Sequence, residues 1–461
     1  MGTRRGLHHD SGQRRRFRTN LASRVGRLIP PLLTEPPFRR YWTGQTISLL
    51  GDEVSLIALP LTGVLVVHAG PAQMGYLMTA WLAPSLLFSV PAGVLVDRYG
   101  HRRRAMVAAD LGRAALMASI PIAYAAGVLT SVQLYTVAFA VGTLSVLFAV
   151  ADSTLFVSLV PPERYVSGNS LLHSSYALAD AGGPGLGGAL VQALSAPAAL
   201  LADGLSYLAS AFFLFRVRSP EPATARTPGS SPAGGFRFIA GSRVVRAALG
   251  ATATINFFTY MFAALFVLYA TTTLRVPPGL LGTVLSAGAA GGLLGSMITG
   301  RVASRIGIGP AFIAGCVLYP APLFLVPAAG GGRDTVLTLL FLAEFGSGIG
   351  VMMLDISAGS IFAAVIPDPV RARVSGAYRA VNYGARPLGS LTAGALGTAV
   401  GPRTTLVIAV AGALAGAGWL LPSPLLRMRT LPIPPPGSVR APTSPAGEDR
   451  TPDGAGGRST T

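Results

Sequence analysis

Four acidic side chains of this 461-residue chain stand deep inside apolar runs: Asp52, Glu53, Asp180 and Glu344. A carboxyl group kept from water favours its neutral form, so it can take up a proton near neutral pH. Neutralising it shifts the balance between two conformations of a membrane protein. These four residues are therefore the proton-coupling candidates. Asp52 and Glu53 are neighbours, and on a helix they point about 100° apart, so they cannot both face one cavity squarely. Four further acids read differently. Asp110 has Arg113 three residues on and reads as half of a local ion pair. Asp152 lies near the end of its run and reads as a gate partner for basic loop residues. Asp203 and Asp355 lie nearer the ends of theirs, and Arg379 and Arg386 are available to neutralise Asp355 or Asp180. His68 and His173 are far apart and read as polar wall residues. Trp81, Tyr176, Phe257, Phe258, Tyr260 and Phe262 are candidates to line an apolar cavity.

Other chemistries are excluded by what is missing from the sequence. There is no lysine, so neither a phosphate-binding P-loop nor a Schiff base can form. The single cysteine, Cys316, allows no intrachain disulfide and no cysteine zinc site. His-Glu-x-x-His and Gly-x-Ser-x-Gly are absent, so a polytopic membrane enzyme is the least favoured class. No cofactor and no metal is expected, and energy must come from a gradient or a partner.

Such acids need helices that cross a membrane. The chain is 51% hydrophobic and 12% charged, with mean hydropathy +0.55, whereas a soluble domain is about 25% charged. A span takes about 20 apolar residues, and twelve such runs are present: 41–67, 74–96, 105–126, 132–158, 167–193, 197–215, 247–271, 280–301, 308–328, 335–363, 374–399 and 403–422. The expected fold is all-α, twelve transmembrane helices in two pseudo-symmetric halves, 41–215 and 247–422. The halves are joined by a polar linker, 216–246. Residues 1–40, arginine-rich and broken by prolines, and 423–461, rich in Pro, Gly, Ser and Thr, are expected to be disordered tails. All 36 basic residues are arginine, and thirty of them fall in the tails, the linker and the loops of one side, against three on the other. By the positive-inside rule the rich side is cytoplasmic, with both termini inside. The net charge of +18 is thus a topology signal rather than a nucleic-acid surface.

The halves echo each other. Gly93-Val94-Leu95-Val96-Asp97-Arg98-Tyr99-Gly100-His101-Arg102-Arg103-Arg104 separates the second and third runs, and Gly300-Arg301-Val302-Ala303-Ser304-Arg305-Ile306-Gly307 follows the eighth. Leu155 to Pro161 pairs likewise with Ile361 to Pro367. Parallel halves related by an axis along the membrane normal are one transporter plan.

The hairpin pattern Gly93-x-Leu95-x-Asp97-Arg98-x-Gly100-x-Arg102-Arg103 resembles the loop 2–3 signature of the major facilitator superfamily. The resemblance implies that fold, and a cytoplasmic gate at Gly93, Asp97, Arg98, Gly100, Arg102 and Arg103, with Asp152 as a partner. Gly183-Pro184-Gly185-Leu186-Gly187-Gly188 resembles the core of the antiporter motif of exporters in that family, carried here by Gly183, Pro184, Gly187 and Gly188. Ala179 and Ser170 stand where the outer glycines of that motif would be, and the family's arginine in span 4 is absent from 132–158. Phe38-Arg39-Arg40-Tyr41-Trp42, Gly51-Asp52 and Pro161-Pro162-Glu163-Arg164 are similar to the macrolide-efflux and enterobactin-exporter branch. The implied function is proton-coupled export of hydrophobic, drug-like molecules by alternating access. The alternative is export of a siderophore or secondary metabolite. The expected setting is the plasma membrane, with the protein acting as a monomer whose partners are substrate, proton and lipid. If the hairpin is a gate, Asp97→Asn lowers transport at normal expression; transport at the wild-type rate would mean that the hairpin only sets topology.

Overall fold

The computed structural model describes residues 30–218 and 233–430, apart from the side chains at 90, 97, 99, 233 and 372. Among these residues the regular structure is all helical. Twelve segments have membrane length: α1 (Pro36–Leu65), α2 (Pro71–Tyr99), α3 (Arg102–Ala125), α4 (Ser131–Leu159), α5 (Tyr165–Ala193), α6 (Ala196–Phe215), α7 (Arg243–Thr273), α8 (Pro278–Ile306), α9 (Ile308–Ala328), α10 (Arg333–Val365), α11 (Asp368–Val400) and α12 (Pro402–Leu420). By length and composition, nine described helices are long and apolar enough to cross a membrane.

Three boundaries differ from the sequence reading. Pro36 and Pro37 open α1 instead of breaking a tail, because proline fits the first helical turn, where the N–H has no partner anyway. Ahead of α1, Leu32 is buried beside Phe38 and Val217. The linker contains a short helix, Ala233–Gly241, and α7 then starts at Arg243 with the Ser242 hydroxyl accepting from the Val245 N–H at 3.3 Å. Past α12 the chain stays packed: Leu425 is fully buried, and the Gly309 N–H donates to the Met428 carbonyl at 2.9 Å. Disorder expected at 1–29, 219–232 and 431–461 falls outside the described residues.

The repeat seen in the sequence is a repeat of geometry. Gly100 ends α2 with φ +64, and Gly307 ends α8 with φ +100, backbone that only glycine adopts without strain. α4 and α10 both end two residues before a proline, Pro161 and Pro367. Packing follows the same two-fold plan. In the first half α1 packs on α5 and α6, α2 on α4, and α3 on α4 and α6; in the second α7 packs on α11 and α12, α8 on α10, and α9 on α10. The main contacts between halves are α5 on α8 and α2 on α11.

Those contacts lie far from the face that carries the arginine-rich loops. At that opposite face one apolar core spans both halves, running through Leu61, Val64 and Met74 of the first and Leu265, Leu268 and Leu281 of the second. Toward the arginine-rich face the cores separate, one around Met106 and Leu155 and others around Phe312 and Val374. Among the described residues, none of these clusters contains residues of both halves. The bundle is therefore closed at one end and open at the arginine-rich end. The closed end relies on glycine. A Cβ on Gly75 would stand 2.7 Å from the Ser390 carbonyl, and one on Gly188 would stand 2.6 Å from the Pro278 carbonyl and 2.9 Å from the Gly282 Cα. These neighbours are backbone and cannot step aside. Gly188→Ala should cost about 1–3 kcal/mol by overpacking, read as a lowered thermal midpoint. Gly182→Ala, with open space around it, should leave that midpoint unchanged.

Candidate functional site

The gap between the halves holds a cavity of about 250 Å³ below the closed end. α1 and α2 contribute Ser55, Leu59, Met74, Met78 and Trp81; the second half contributes Phe262, Phe266, Leu285, Tyr319, Glu344 and Ser347. Trp81 and Phe262 thus stand where the sequence placed cavity aromatics. Phe257 and Phe258 instead form an edge-on pair packed on the core, and Tyr260 lies under an arginine. Glu344 is the only acid of this wall, and among the described residues it makes no hydrogen bond or ion pair. An apolar cavity with few convergent polar groups is the usual form of a small-molecule site.

Asp52 and Glu53 part company, as adjacent helical residues must. Asp52 points into the first half and accepts a hydrogen bond from the Tyr207 hydroxyl of α6. The guanidinium of Arg113 on α3 lies 4.2 Å from the Tyr207 ring and 4.4 Å from the Phe148 ring of α4, and faces Asp52. Arg113 is also paired with Asp110. A third acid, Asp203, accepts from Ser55 and, at 3.1 Å, from Ser206. Three carboxyl groups thus lie near one guanidinium within the first half, with Asp110 in direct contact with it. Each charged aspartate at mid-span costs about 2.5–3.5 kcal/mol to insert, so such a set must be hydrogen-bonded or hold protons. The sequence reading gave Arg113 to Asp110 alone and assigned Asp203 no role. A signal existed: Asp203, Ser206, Tyr207 and Ser210 follow helical spacing and make one polar stripe on an otherwise apolar α6. Gly44 and Gly51 of α1 let that stripe approach, since a Cβ on Gly51 would meet Asp203 Oδ1 at 2.6 Å. Ser55 both bonds Asp203 and lines the cavity, joining the two.

Glu53 turns the other way, toward α5, where its side chain packs on Gly183 and its carboxyl faces that of Asp180. Two facing carboxylates repel when both are ionised, and a proton on either one lets the pair share a hydrogen bond. Asp180 is exposed on the open side of the bundle. Gly183 makes room for this pair, because a Cβ there would collide with the Glu53 side chain. One turn on, a Cβ at Gly187 would stand 3.1 Å from the Val54 Cα. Gly188 and the Pro184 carbonyl face Gly282 of α8 instead. The Gly-Pro-x-x-Gly-Gly segment therefore seats α5 against α1 on one side and against the other half on the other.

The hairpin residues are spread out in this open conformation. Gly93 makes no close approach, and the side chain of Asp97 lies outside the described set. Arg98 is exposed. Arg102 begins α3, and Arg103 donates to the carbonyls of Phe215 and Val217 at 2.8 and 3.0 Å, within its own half. Asp152 does not meet the loop arginines. It accepts from the Tyr41 hydroxyl at 2.8 Å and from the Gln45 amide, both on α1. The exposed pair Arg164–Glu35 at 2.6 Å also stays within one half and is worth at most about 1 kcal/mol. In the second half Arg386 donates to Asn256 at 3.1 Å and lies 4.8 and 4.6 Å from the Tyr260 and Tyr383 rings. It shares a polar hollow with Asp355 and Arg379, not with Asp180.

Comparison with known proteins bears on this arrangement. The family model described as Major Facilitator Superfamily matches residues 41–389 and 248–452. The multidrug efflux pump Tap of Mycobacterium tuberculosis (strain ATCC 25618 / H37Rv) is 28% identical over 392 residues, 78% of this chain and 87% of Tap. The uncharacterised MFS-type transporter YfiS of Bacillus subtilis (strain 168) is 26% identical over 384 residues, 80% of this chain and 88% of YfiS. Among solved structures, the nucleoside transporter NupG superposes with TM-score 0.66 at 13% identity, covering 83% of this chain and 98% of NupG. A bacterial homologue of the iron transporter ferroportin, in its inward-facing state, gives 0.65 at 16% identity, covering 84% and 98%. With its two-fold packing and the length of the match, the chain is a multi-pass membrane transporter of the Major Facilitator Superfamily.

Proposed function

We propose that the chain exports hydrophobic small molecules across the plasma membrane in exchange for protons, by alternating access, with the arginine-rich face in the cytoplasm. The observation that carries this reading is the cavity between the halves: apolar and aromatic, with Glu344 in its wall unpaired among the described residues, and lying between halves whose cores separate toward the arginine-rich side. The kinship to Tap, whose name is multidrug efflux pump, supports the same direction of transport. Arginine distribution supports the orientation.

In this reading the open state admits cargo from the cytoplasm. Two elements hold protons: the Glu53–Asp180 pair on the open side, and the Asp52, Asp110 and Asp203 set around Arg113. Loss of a proton leaves a charge that the closed first half disfavours, and uptake of one removes it. Proton occupancy thereby biases the equilibrium between the two openings. The gate of the other state uses Gly93 and the charges of Asp97, Arg98, Arg102 and Arg103, which become neighbours of the second half when the arginine-rich end closes. Glu344 supplies a charge-assisted contact to cationic cargo, worth about 1.5–3 kcal/mol.

Inverted vesicles with an acidic lumen should accumulate a labelled hydrophobic drug, and an ionophore that collapses the gradient should abolish uptake. Asp52→Asn should give the same loss at normal expression. Uptake that persists with the ionophore defeats proton coupling, and no protection of cells against any of a drug panel defeats drug export in favour of an endogenous metabolite. Glu344→Gln should raise KM about tenfold or more for cationic drugs and leave it unchanged for neutral ones.

A further inference from the structure

On the arginine-rich face the ends of α1, α3 and α6 surround an open hollow of about 670 Å³, walled by Arg40, Arg103, Phe215, Arg216 and Arg218. Among the described residues no acid lines it. Two of the guanidinium groups are anchored to backbone at the end of α6. Arg40 donates to the Arg216 carbonyl at 2.7 Å, and Arg103 to the Phe215 and Val217 carbonyls at 2.8 and 3.0 Å. Each guanidinium has five N–H donors, so most remain for a ligand. Arg216 rests on the Phe212 ring at 3.9 Å from its centroid. Arg218 makes no hydrogen bond or ion pair with any described residue. Four like charges in one hollow repel, and an anion among them removes the repulsion.

The surface beneath the hollow says which kind of anion. Leu201, Leu205, Leu208, Phe212 and Phe215 are all exposed, and their alternating spacing of four and three puts them on one face of α6. From Leu205 to Phe215 this stripe runs about 15 Å, half the roughly 30 Å of a bilayer's hydrocarbon. An apolar track one leaflet deep, ending in arginines, is the shape of a phospholipid. Free phosphate would use only the hollow.

We propose that this hollow binds the phosphodiester headgroup of an anionic phospholipid from the adjoining leaflet, with its acyl chains along the exposed stripe of α6. The planar arginine forks match phosphate oxygens two at a time. Basic hollows between transmembrane helices recognise anionic headgroups in this way. Because the arginines come from α1, α3 and α6, a bound lipid also clamps the ends of three helices of the first half.

Full-length protein purified in detergent is incubated with phosphatidylglycerol or with phosphatidylcholine of the same acyl chains, and retained lipid is counted by native mass spectrometry. Phosphatidylglycerol should be retained preferentially and should survive millimolar inorganic phosphate. Arg218→Gln should weaken retention about fivefold. In a second arm Phe215 is replaced by a photoreactive phenylalanine, which leaves every arginine in place. Illumination in mixed vesicles should then label phosphatidylglycerol above phosphatidylcholine. Equal retention of the two lipids, an Arg218→Gln protein that holds phosphatidylglycerol as the wild type does, or no preference in the cross-link overturns the proposal. Displacement of the lipid by inorganic phosphate would make the hollow a free-phosphate site and overturn it as well.

Discussion

The two halves are held together where glycine lets backbone lie against backbone. Gly75 and Gly394 bring α2 onto α11, and Gly188 and Gly282 bring α5 onto α8. Lipid tails are as apolar as leucine, so no hydrophobic force drives helices together within a bilayer. Close van der Waals contact at small residues takes its place. These contacts sit near one end of the bundle, and the shared apolar core seals that end. The other end has separate cores in each half and lies open. A joint of this kind is narrow, and a narrow joint between two rigid bodies is one about which they can rock.

The polar groups follow from the same scarcity of water. Nothing in hydrocarbon satisfies a carboxyl group, so Asp52, Asp110, Asp152 and Asp203 turn to Tyr207, to Arg113, to Tyr41 with Gln45, and to Ser55. α1 occupies the centre of this arrangement. Its Asp52 meets α6 and α3, its Glu53 meets α5, and its Ser55 reaches the cavity. Glu344 differs by facing the cavity without a partner among the described residues. The first half thus holds the hydrogen-bonded acids, and the second half contributes the acid of the cavity wall.

Much of this was legible in the sequence. The all-helical bundle, the two-fold repeat and the acids came from hydropathy and from a motif repeated at matching positions, and the 100° turn between Asp52 and Glu53 foretold their divergence. Contacts set by tertiary packing were not legible. Arg113 looks local because Asp110 is three residues away, and only the fold brings α4 and α6 beside it. Asp152 reads as a gate residue from its position near a helix end; in this open state it is held by Tyr41 and Gln45, more than a hundred residues earlier, which only the fold brings beside it. Pro36 and Pro37 were misread because proline both starts and stops helices, and Leu32 shows which by being buried. The acidic and serine spacing of α6 was present in the sequence and needed only to be read as a stripe.

The central claim, that the halves rock about the glycine joint and open alternately, is tested most directly by a distance. Val166 at the start of α5 and Ser304 near the end of α8 are exposed at the arginine-rich ends of the two helices that meet at Gly188 and Gly282. With Cys316 replaced by alanine, spin labels at Val166→Cys and Ser304→Cys report their separation by double electron–electron resonance. The account predicts two populations, with the shorter distance gaining at one pH and the longer at another, and with Asp52→Asn abolishing the exchange. A single distance that neither pH nor substrate moves would contradict it.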